Sequence, residues 1–310
     1  MSQLAISFII PVLNGEKYIG NCLEYMLREM TDTDEVIVID NGSSDKTEEI
    51  VKSFADVRFI YNPGKTIAAQ RNFAVELAKG DAFAFVDCDC LICEGWRAAV
   101  EEAFLDESVH ATGSHYDVSL EPTWIEKAWV PGRLKGPVKR HYIPSGNLII
   151  RRHAFENIGG FNSELVTDED TDICHRITDS GGVLLDIPGA RAMHEGNAKT
   201  ISAFAQKERW HATSMLTSFK ANPWDKPFIL TLVFIASWVI SISAGIVSLY
   251  CNINLWSVFL TVFFSPVVNA LFKAKRNQKL HKFPQLLVLF FIYYFERSHI
   301  LIKTLLTKNA

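Results

Sequence analysis

The hydrophobic and polar positions of the first hundred residues alternate in blocks. Short runs that are apolar almost throughout, such as "AISFIIPV", "DEVIVID" and "AFAFV", stand between segments whose apolar residues recur at helical spacing, such as "EKYIGNCLEYMLREM". Continuous apolar strands that alternate with amphipathic helices are typical of a parallel sheet covered by helices on both faces. The pattern predicts an α/β fold in which residues 1–100 form a mostly parallel sheet of the kind that binds nucleotides.

Residues 101–222 follow a looser pattern. They predict, in order, a strand at "ATGSHYDVSL", a strand and short helix at "SGNLIIRRHAFENIGGFN", a helix at "TDEDTDICHRITDSGG" and a final pair of strands at "VLLDIPGARAMHEG". Thr167 stands at the acidic start of the third of these segments and is a candidate for the N-cap of its helix. The stretch 121–144 is aromatic, basic and interrupted by prolines, which predicts a loop that is able to move.

Residues 223–310 are much more hydrophobic than the rest of the chain. The segment 228–250 carries no charge and is long enough to cross a bilayer, and 255–272 is a second, shorter candidate. The basic run 273–282 follows the second segment, and the positive-inside rule places it on the cytosolic side together with the N-terminal region. We therefore expect a C-terminal helical membrane region, with the N-terminal part of the chain on the cytosolic side of the cytoplasmic (inner) membrane.

A third hydrophobic segment, 284–305, is interrupted by Glu296 and Arg297. It either spans the bilayer with these charges near an interface or lies along the membrane surface. The charges favour an interfacial or re-entrant helix.

Composition and charge exclude other classes of protein. The formal net charge is −4 over 310 residues, and no basic stripe with interleaved aromatics occurs in the first two thirds, so no nucleic-acid partner is expected. The N-terminus lacks a basic region and Pro11 interrupts its apolar run, so no signal peptide is expected. Cys90 and Cys93 form a CxxC with Cys88 upstream, but a zinc site needs a second cluster, and buried reduced thiols are the expected state.

Polar residues follow three of the predicted strands at the point where each ends. They are Asn14 and Glu16 after the first strand, Asp40 to Ser43 after the second, and Asp87 and Asp89 after the fourth. Each group alone is typical of a turn. Ligands of open parallel sheets bind at the carboxyl ends of the strands, so together the groups predict one crevice. A dinucleotide fingerprint is absent, and "PGKT" lacks the first glycine of a P-loop because Phe59 occupies that position.

The order and content of several stretches resemble the inverting family 2 glycosyltransferases, which have the A-type nucleotide-sugar fold. The matching stretches cover residues 1 to about 215 and are "IIPVLN", "VIDNGSSDKT", "AAQRNFAVELAKGDAFAFVDCDC", "GGFNSEL" and "DEDTDICHR". The resemblance implies that residues 1–100 bind the nucleotide-sugar and that 101–222 bind the acceptor and carry the catalytic residue. The residues implied in donor binding are Pro11, Asn14, Glu16, Asp40, Gly42, Ser43, Arg71, Asp87 and Cys88.

The sequence Asp87-Cys88-Asp89 matches the family's D-x-D motif. By the resemblance, Asp87 lies by the ribose and Asp89 binds a divalent metal, Mg²⁺ or Mn²⁺, which stabilises the charge of the departing diphosphate. His194 matches a histidine that is a third metal ligand in many relatives, although a single histidine is more often structural.

The acidic cluster that begins at Asp168 has a plain electrostatic interpretation, since acids in the first turn of a helix are favoured by its dipole. The resemblance adds a chemical one, in which Glu169 and Asp170 match the family's "ED" motif. Asp170 is then the general base that takes the proton from an acceptor hydroxyl, and Glu169 lies near the diphosphate and acceptor.

The segment "QKERW" matches the Q-x-x-R-W motif of processive polysaccharide synthases, which implies acceptor and diphosphate contacts for Gln206, Arg209 and Trp210. An amphipathic helix that approaches the membrane explains the same residues. The chain shows too few hydrophobic segments for an obvious polymer channel, which disfavours processive synthesis.

We expect an inverting, metal-dependent transferase of cell-envelope polysaccharide biosynthesis, with a nucleotide-sugar donor of the UDP class and a lipid-linked or glycan acceptor at the membrane. The alternatives are a small processive synthase and a non-catalytic membrane subunit.

Overall fold

The computed structural model of the chain describes residues 4–213, 215–216, 219, 226–251, 256–277 and 279–307. The chain forms two compact units. The first comprises Met1–Glu121 and Arg133–Asn197, and the second comprises Pro122–Gly132 and Ala198–Ala310. These units divide the chain differently from the three predicted functional segments, whose roles remain predictions.

The first unit is an α/β sandwich. Its strands are β1 (Ile6–Val12), β2 (Glu35–Asp40), β3 (Val57–Tyr61), β4 (Ala82–Val86), β5 (Cys90–Ile92), β6 (Val109–Gly113), β7 (Val138–Arg140), β8 (Asn147–Arg151), β9 (Val183–Asp186) and β10 (Ala192–His194). Its helices are α1 (Ile19–Leu27), α2 (Thr47–Lys52), α3 (Ile67–Leu77), α4 (Trp96–Ala103), α6 (Arg152–Asn157) and α7 (Glu169–Asp179).

Eight strands form one mixed sheet in the order β3-β2-β1-β4-β8-β6-β9-β7. The pairs β1/β2, β2/β3, β1/β4 and β6/β9 are parallel, whereas β8 runs antiparallel to both of its neighbours, and β7 to β9. The mostly parallel sheet expected from the sequence is confirmed. The carboxyl ends of β1, β2 and β4 meet at one edge, which is the edge where the polar residues were expected to converge.

Apolar side chains cover both faces of the sheet because successive residues of a strand point to opposite sides. Phe8 and Ile10 of β1 belong to a cluster that includes residues of α1 and α4. Ile9 belongs to a second cluster, which includes residues of α3, α6 and α7. This two-sided burial explains why the strands read as continuous apolar runs.

The structure corrects four details of the predicted elements. The stretch 121–144 is not only a loop, because it contains α5 (Trp124–Trp129), whose first turn is fixed by a capping box between Thr123 and Glu126, and the strand β7. Thr167 is not the N-cap of α7, because Asp168 occupies that position with a left-handed φ of 65°. The remaining two corrections concern strands.

The strand predicted at "ATGSHYDVSL" begins earlier, at Val109, and ends at Gly113. The predicted final strand pair is not a pair. The first of these strands, β9, joins the large sheet, and the second, β10, pairs antiparallel with β5 in a separate two-stranded ribbon. The short strand β5, which follows the D-x-D motif, forms the backbone hydrogen bonds to β10.

The second unit is helical. It contains α5, α8 (Ile201–Ala212), α9 (Lys226–Cys251), a 3₁₀ helix (Trp256–Phe263), α10 (Phe264–Arg276), a short 3₁₀ turn (Leu280–Lys282) and α11 (Phe283–Thr307). In the part of the chain that the structure describes, three stretches are long and apolar enough to cross a membrane, Lys226–Cys251, Val258–Arg276 and Leu280–Thr307. The expected apolar C-terminal helices are therefore present.

Candidate active site

The loops that follow β1 and β2 are joined by side chains from the predicted nucleotide site. Asp40 is buried at the end of β2, and its Oδ2 accepts hydrogen bonds from the backbone N–H groups of Gly42 (3.0 Å) and Ser43 (2.9 Å). The Ser43 hydroxyl donates to Asp40 Oδ1 and accepts from the backbone N–H of Asn14 at 2.8 Å. Asn14 has a positive φ of 52°, which its short polar side chain tolerates. The loop is thus fixed in shape before any ligand binds.

Glu16 and Pro11 take part in the same framework. The Glu16 carboxylate accepts from the backbone N–H of Lys46 at 3.1 Å, so it holds the loop that precedes α2. Pro11 is buried within β1 opposite Ile39 of β2. In the structure Glu16 supports the loop before α2, and Pro11 lies within the sheet where β1 meets β2.

The D-x-D motif follows β4 and is joined to β10 by the small ribbon. His194 at the end of β10 pairs with Cys90 of β5, which brings its Nε2 to 3.5 Å from Asp89 Oδ1. The ring of Tyr116 lies on His194 with the ring centroids 4.7 Å apart. Cys88 is half-buried, with its sulfur against the backbone of Gly15.

Four side chains around Asp89 meet the geometry of a metal site. One potential ligand atom from each of Asp87, Asp89, Cys90 and His194 lies within 4.8 Å of the others. Burial raises the pKa of the Cys90 thiol well above its usual value, and the acids at Asp89 and Asp87 raise it further, which disfavours the thiolate that would bind a metal. Two carboxylates and an imidazole remain, a donor set suited to Mg²⁺ or Mn²⁺ more than to zinc held by thiolates.

Gly196 leaves room for this site. A Cβ on Gly196 would lie 1.8 Å from Asp89 Oδ2 and 3.3 Å from the His194 ring, so no other residue fits without moving the acid. The donor set and this gap fit a divalent cation at Asp89 and His194.

Arg71 of α3 joins the D-x-D motif to α7. Its guanidinium is buried, with Nη2 2.9 Å from Asp87 Oδ1 and Nη1 2.7 Å from Glu169 Oε1, across 98 residues of sequence to the latter. Burial lowers the pKa of Arg71, but Asp87 and Glu169 outweigh it and the net shift is upward, so the charge is retained. Arg71 therefore holds two acids in place, and its expected contact with the donor stays a prediction.

Asp170 lies beside this bridge in the first turn of α7. Burial raises the pKa of its carboxyl to about 6, and the neighbouring charge of Glu169 adds to the effect. The Tyr142 hydroxyl donates to Asp170 Oδ2 at 3.0 Å and opposes the shift, as does Arg71. A carboxylate with a pKa near 6 is ionised at neutral pH and is still basic enough to accept a proton.

Sequence reasoning missed Tyr142, Tyr116 and Gly146. The Tyr116 hydroxyl accepts from the backbone N–H of Gly146 at 2.9 Å, and a Cβ on Gly146 would lie 2.3 Å from Asp87 Oδ2. None of the three belongs to a motif. The only signal in the sequence was the single glycine of "SGNLII", which stands directly before a strand.

The Q-x-x-R-W residues lie on α8, in the second unit. Gln206 and Trp210 are exposed. The Nε of Arg209 is 3.5 Å from Glu296 Oε2, and the adjacent Glu208 pairs with Arg297 at 3.0 Å. Arg209 is therefore engaged with α11, and acceptor contacts of these residues stay a prediction.

The fold and the acidic site define an A-type glycosyltransferase, a class in which nucleotide-sugars bind at the carboxyl edge of such a sheet. Residues 7–161 match the family model described as Glycosyl transferase family 2, and residues 125–295 match that of Glycosyl transferase family group 2. The chain belongs to glycosyl transferase family 2.

The curated relatives include the pre-mycofactocin glycosyltransferase of Mycobacterium tuberculosis, 24% identical over 79% of this chain and 54% of the relative. Glycosyltransferase AglE of Haloferax volcanii is 28% identical over 57% of this chain and 62% of its own length. The chain thus spans about half to three fifths of the length of these relatives.

Solved structures of the same fold include the mannosyltransferase PcManGT of Pyrobaculum calidifontis in complex with GDP-Man and Mn²⁺, with a TM-score of 0.57, 17% identity and coverage of 92% of this chain and 85% of that one. GalNAc-T7 with UDP, GalNAc and Mn²⁺ has a TM-score of 0.52 and 18% identity, and covers 68% of this chain and 50% of its own. At these identities the likeness concerns the fold.

Proposed function

We propose that the chain is an inverting glycosyltransferase that moves a sugar from a nucleotide-sugar to an acceptor hydroxyl. The observation that carries this proposal is the arrangement around Arg71. One buried guanidinium holds Asp87 of the D-x-D motif and Glu169, next to a carboxylate, Asp170, whose pKa of about 6 suits a general base. The donor side and the base side of a displacement reaction are thereby fixed relative to each other.

In this mechanism the acceptor hydroxyl approaches Asp170. The hydroxyl oxygen of the acceptor attacks the anomeric carbon while its proton passes to a carboxylate oxygen of Asp170. The bond from the anomeric carbon to the diphosphate breaks on the opposite face. A single displacement of this kind inverts the anomeric centre and needs no covalent enzyme intermediate. A positioned general base contributes roughly 10²- to 10⁴-fold to such a step.

The nucleoside diphosphate would occupy the crevice formed by the loops after β1, β2 and β4. Asp40, Gly42, Ser43 and Asn14 would border the nucleoside. A bound Mg²⁺ or Mn²⁺ ion would stabilise the negative charge that the departing diphosphate gains. Asp89 and His194 would hold this ion, and Asp87 would lie on the ribose side.

We propose a UDP-linked donor and a lipid-linked or glycan acceptor, used at the cytosolic face of the cytoplasmic membrane. The apolar helices of the second unit support a membrane location, and the basic run 273–282 supports the cytosolic orientation. The structures of the same fold that contain UDP or GDP-Man support a nucleotide-sugar donor.

The test is release of nucleoside diphosphate by the detergent-purified chain, measured over a panel of nucleotide-sugars with Mn²⁺, Mg²⁺ or chelator. We expect release from one donor only with metal, and at least a 10²-fold loss in Asp170→Asn with donor binding retained. Asp89→Ala should lose both metal-dependent binding and turnover. Turnover of Asp170→Asn close to that of the native chain would overturn the assignment of the base.

A small processive synthase is the alternative within the same chemistry, and the Q-x-x-R-W match favours it. Product length distinguishes the two, since a ladder of products indicates processive synthesis and a single addition excludes it. A non-catalytic membrane subunit would bind no nucleotide in a metal-dependent way.

A further inference from the structure

The helices α9 and α10 form an antiparallel pair. The Ser241 hydroxyl of α9 donates to the carbonyl of Val258 at 3.2 Å, and the Ser265 hydroxyl of α10 donates to the carbonyl of Leu230 at 3.4 Å. As the residue in α9 moves back along the chain from 241 to 230, its partner moves forward from 258 to 265. This pairing defines an antiparallel hairpin. The start of α9 at Lys226 and the end of α10 at Arg276 therefore lie at the same end, which is called the basic end here.

Both ends of α11 lie near this basic end. Its start follows α10 after a short turn in which the Lys279 backbone N–H donates to the carbonyl of Ala274 at 2.8 Å. Near its other end, Leu301 belongs to a small apolar cluster with Phe228, which lies two residues after the start of α9. Residues 283 and 301 are about 27 Å apart along a helix. A helix that crossed the bilayer from the basic end would carry Leu301 far from Phe228.

The middle of α11 is covered by α8. Glu208 pairs with Arg297 and Arg209 pairs with Glu296. The outward face of α8 carries the polar residues Ser202, Gln206 and Thr213, beside the exposed Ile201 and Trp210. If α11 crossed the bilayer, this polar face would lie at the depth of the hydrocarbon core, where unpaired polar groups are strongly disfavoured.

The opposite face of α11 carries an apolar stripe. Val288, Phe295 and Ile302 recur every seven residues and are about half exposed, at 47%, 54% and 44%. Leu306 continues the stripe, and the exposed polar residues on this side are His299 and, at its margin, Lys303. A helix that lies in the plane of the interface buries such a face among acyl chains and keeps its other face towards protein and water.

We propose that α11 lies in the plane of the membrane interface, with the Val288–Phe295–Ile302 face on the acyl chains of the leaflet at the basic end, and that, among the helices that the structure describes, only the α9–α10 hairpin crosses the bilayer. The occupant of this face is lipid because α11 packs directly on the hairpin, with Phe291 against Phe234 and Phe263 at ring-centroid distances of 5.7 and 5.8 Å, and the hairpin is apolar enough to cross a bilayer. Lys275, Arg276, Lys279 and Lys282 precede it, where anionic headgroups would lie. The inference does not depend on glycosyl transfer.

Nitroxide labels on the stripe measure the depth directly. Val288→Cys, Phe295→Cys and Ile302→Cys would each be labelled in the full chain carrying Cys251→Ser, since the other cysteines are buried or half-buried. In vesicles of zwitterionic and anionic phospholipids, all three labels should collide with oxygen more than with a water-soluble nickel complex, and at equal depth. Thr213→Cys on the polar face of α8 is the matched control and should show the reverse preference.

A helix that spans the bilayer would give depths that change by about 10 Å between successive labels, and that result would overturn the proposal. Labels that are shielded from both reagents would also overturn it, because they would indicate a protein partner or a second copy on this face.

The sidedness of the C-terminal end is an independent check. Cys251 is exposed at the far end of α9 and should react with an impermeant maleimide on sealed cells. In the Cys251→Ser background, Thr307→Cys should react only after the cells are permeabilised. Labelling of Thr307→Cys on sealed cells, or failure to label Cys251 there, would contradict two crossings.

Discussion

At the scale of single residues, the environment of Asp170 decides how well it can act as a base. Burial and the charge of Glu169 raise the pKa of its carboxyl to about 6, while the Tyr142 hydroxyl and Arg71 favour the ionised form. The base must be ionised to accept a proton. Activity should therefore rise with pH through the region around 6 and level off above it.

Replacing Tyr142 by Phe tests this balance. The change removes a donor to the carboxylate, so the pKa of Asp170 should rise further, and the acidic limb of the kcat/KM profile should move to higher pH. The plateau well above the new pKa should change little. A lowered plateau with the limb unmoved would indicate that Tyr142 contacts the acceptor and does not tune the base.

The same raised pKa affects stability. A carboxyl whose pKa is higher in the folded than in the unfolded chain binds more protons in the folded state, so its contribution to stability is present below its unfolded pKa and is lost as the pH rises through about 6. Asp170→Asn should therefore unfold at a higher Tm than the native chain at pH 8, with a smaller difference at pH 5. An equal difference at both pH values would contradict the raised pKa.

At the scale of elements, the short ribbon of β5 and β10 assembles the candidate metal site. Neither strand belongs to the main sheet, yet their pairing brings His194 to Asp89. The turn after β10 passes so close to Asp89 that only glycine fits at position 196. The site thus depends on the close approach of the Gly196 backbone to Asp89 as much as on which residues serve as ligands.

Gly196→Ala should weaken Mn²⁺ binding by about 10- to 100-fold, because the new methyl group displaces the Asp89 carboxylate without disturbing the sheet. Titration of Mn²⁺ followed by the paramagnetic resonance of the free ion gives the affinity. Gly136→Ala is the matched control, since nothing lies within 4 Å of a Cβ there. Equal affinities in the two variants would show that Asp89 is not a ligand.

The contact between α8 and α11 rests on two ion pairs of unequal burial. Glu208 and Arg297 are 6% and 12% exposed in their side chains, whereas Arg209 is 44% exposed. Burial raises the pKa of Glu208, and Arg297 opposes that shift. The pair is held because each charge would otherwise be buried alone.

Arg297→Met should lower the free energy of unfolding by about 3–5 kcal/mol, because it leaves the buried Glu208 carboxylate without its partner. Arg209→Met, which breaks the more open pair, should lose no more than about 1 kcal/mol. Unfolding in detergent, followed by the near-ultraviolet signal of the aromatic residues around Trp129, measures both. Equal losses would mean that burial does not distinguish the pairs.

At the scale of the whole molecule, the chain combines an α/β unit of the A-type glycosyltransferase fold with a unit of long apolar helices. Ligands that bind only the folded chain stabilise it by mass action. The Mn²⁺ complex of a nucleoside diphosphate, at about 100 times its dissociation constant, would add about 2.7 kcal/mol. This stabilisation requires the folded crevice, because the loops after β1, β2 and β4 would bind the ligand together.

We therefore expect UDP with Mn²⁺ to raise Tm by a few degrees, and chelator to abolish the rise. Asp89→Ala should show no rise under the same conditions. If no nucleoside diphosphate shifts Tm in the presence of metal, the crevice does not bind a nucleotide and the proposed chemistry is excluded.

The amino-acid sequence by itself determined the main strands, the carboxyl-edge crevice and the apolar C-terminal helices. These features follow from local patterns: a strand buried on both faces must be apolar throughout, and a helix in lipid must lack charge. The placement of Asp40, Asp87 and Asp89 at strand ends followed from the same periodicity. Their chemistry came from the family resemblance.

Only the tertiary structure decided which distant residues meet. The bridge from Arg71 to Glu169, the hydroxyl of Tyr142 on Asp170 and the gap at Gly196 join positions that no periodicity connects. The sequence left open whether the segment with Glu296 and Arg297 spans the bilayer or lies on its surface. In the structure these two residues of α11 pair with Arg209 and Glu208 of α8. Long-range pairing depends on how sheets and helices pack, and a linear pattern carries no information on the side chain that a buried charge will meet.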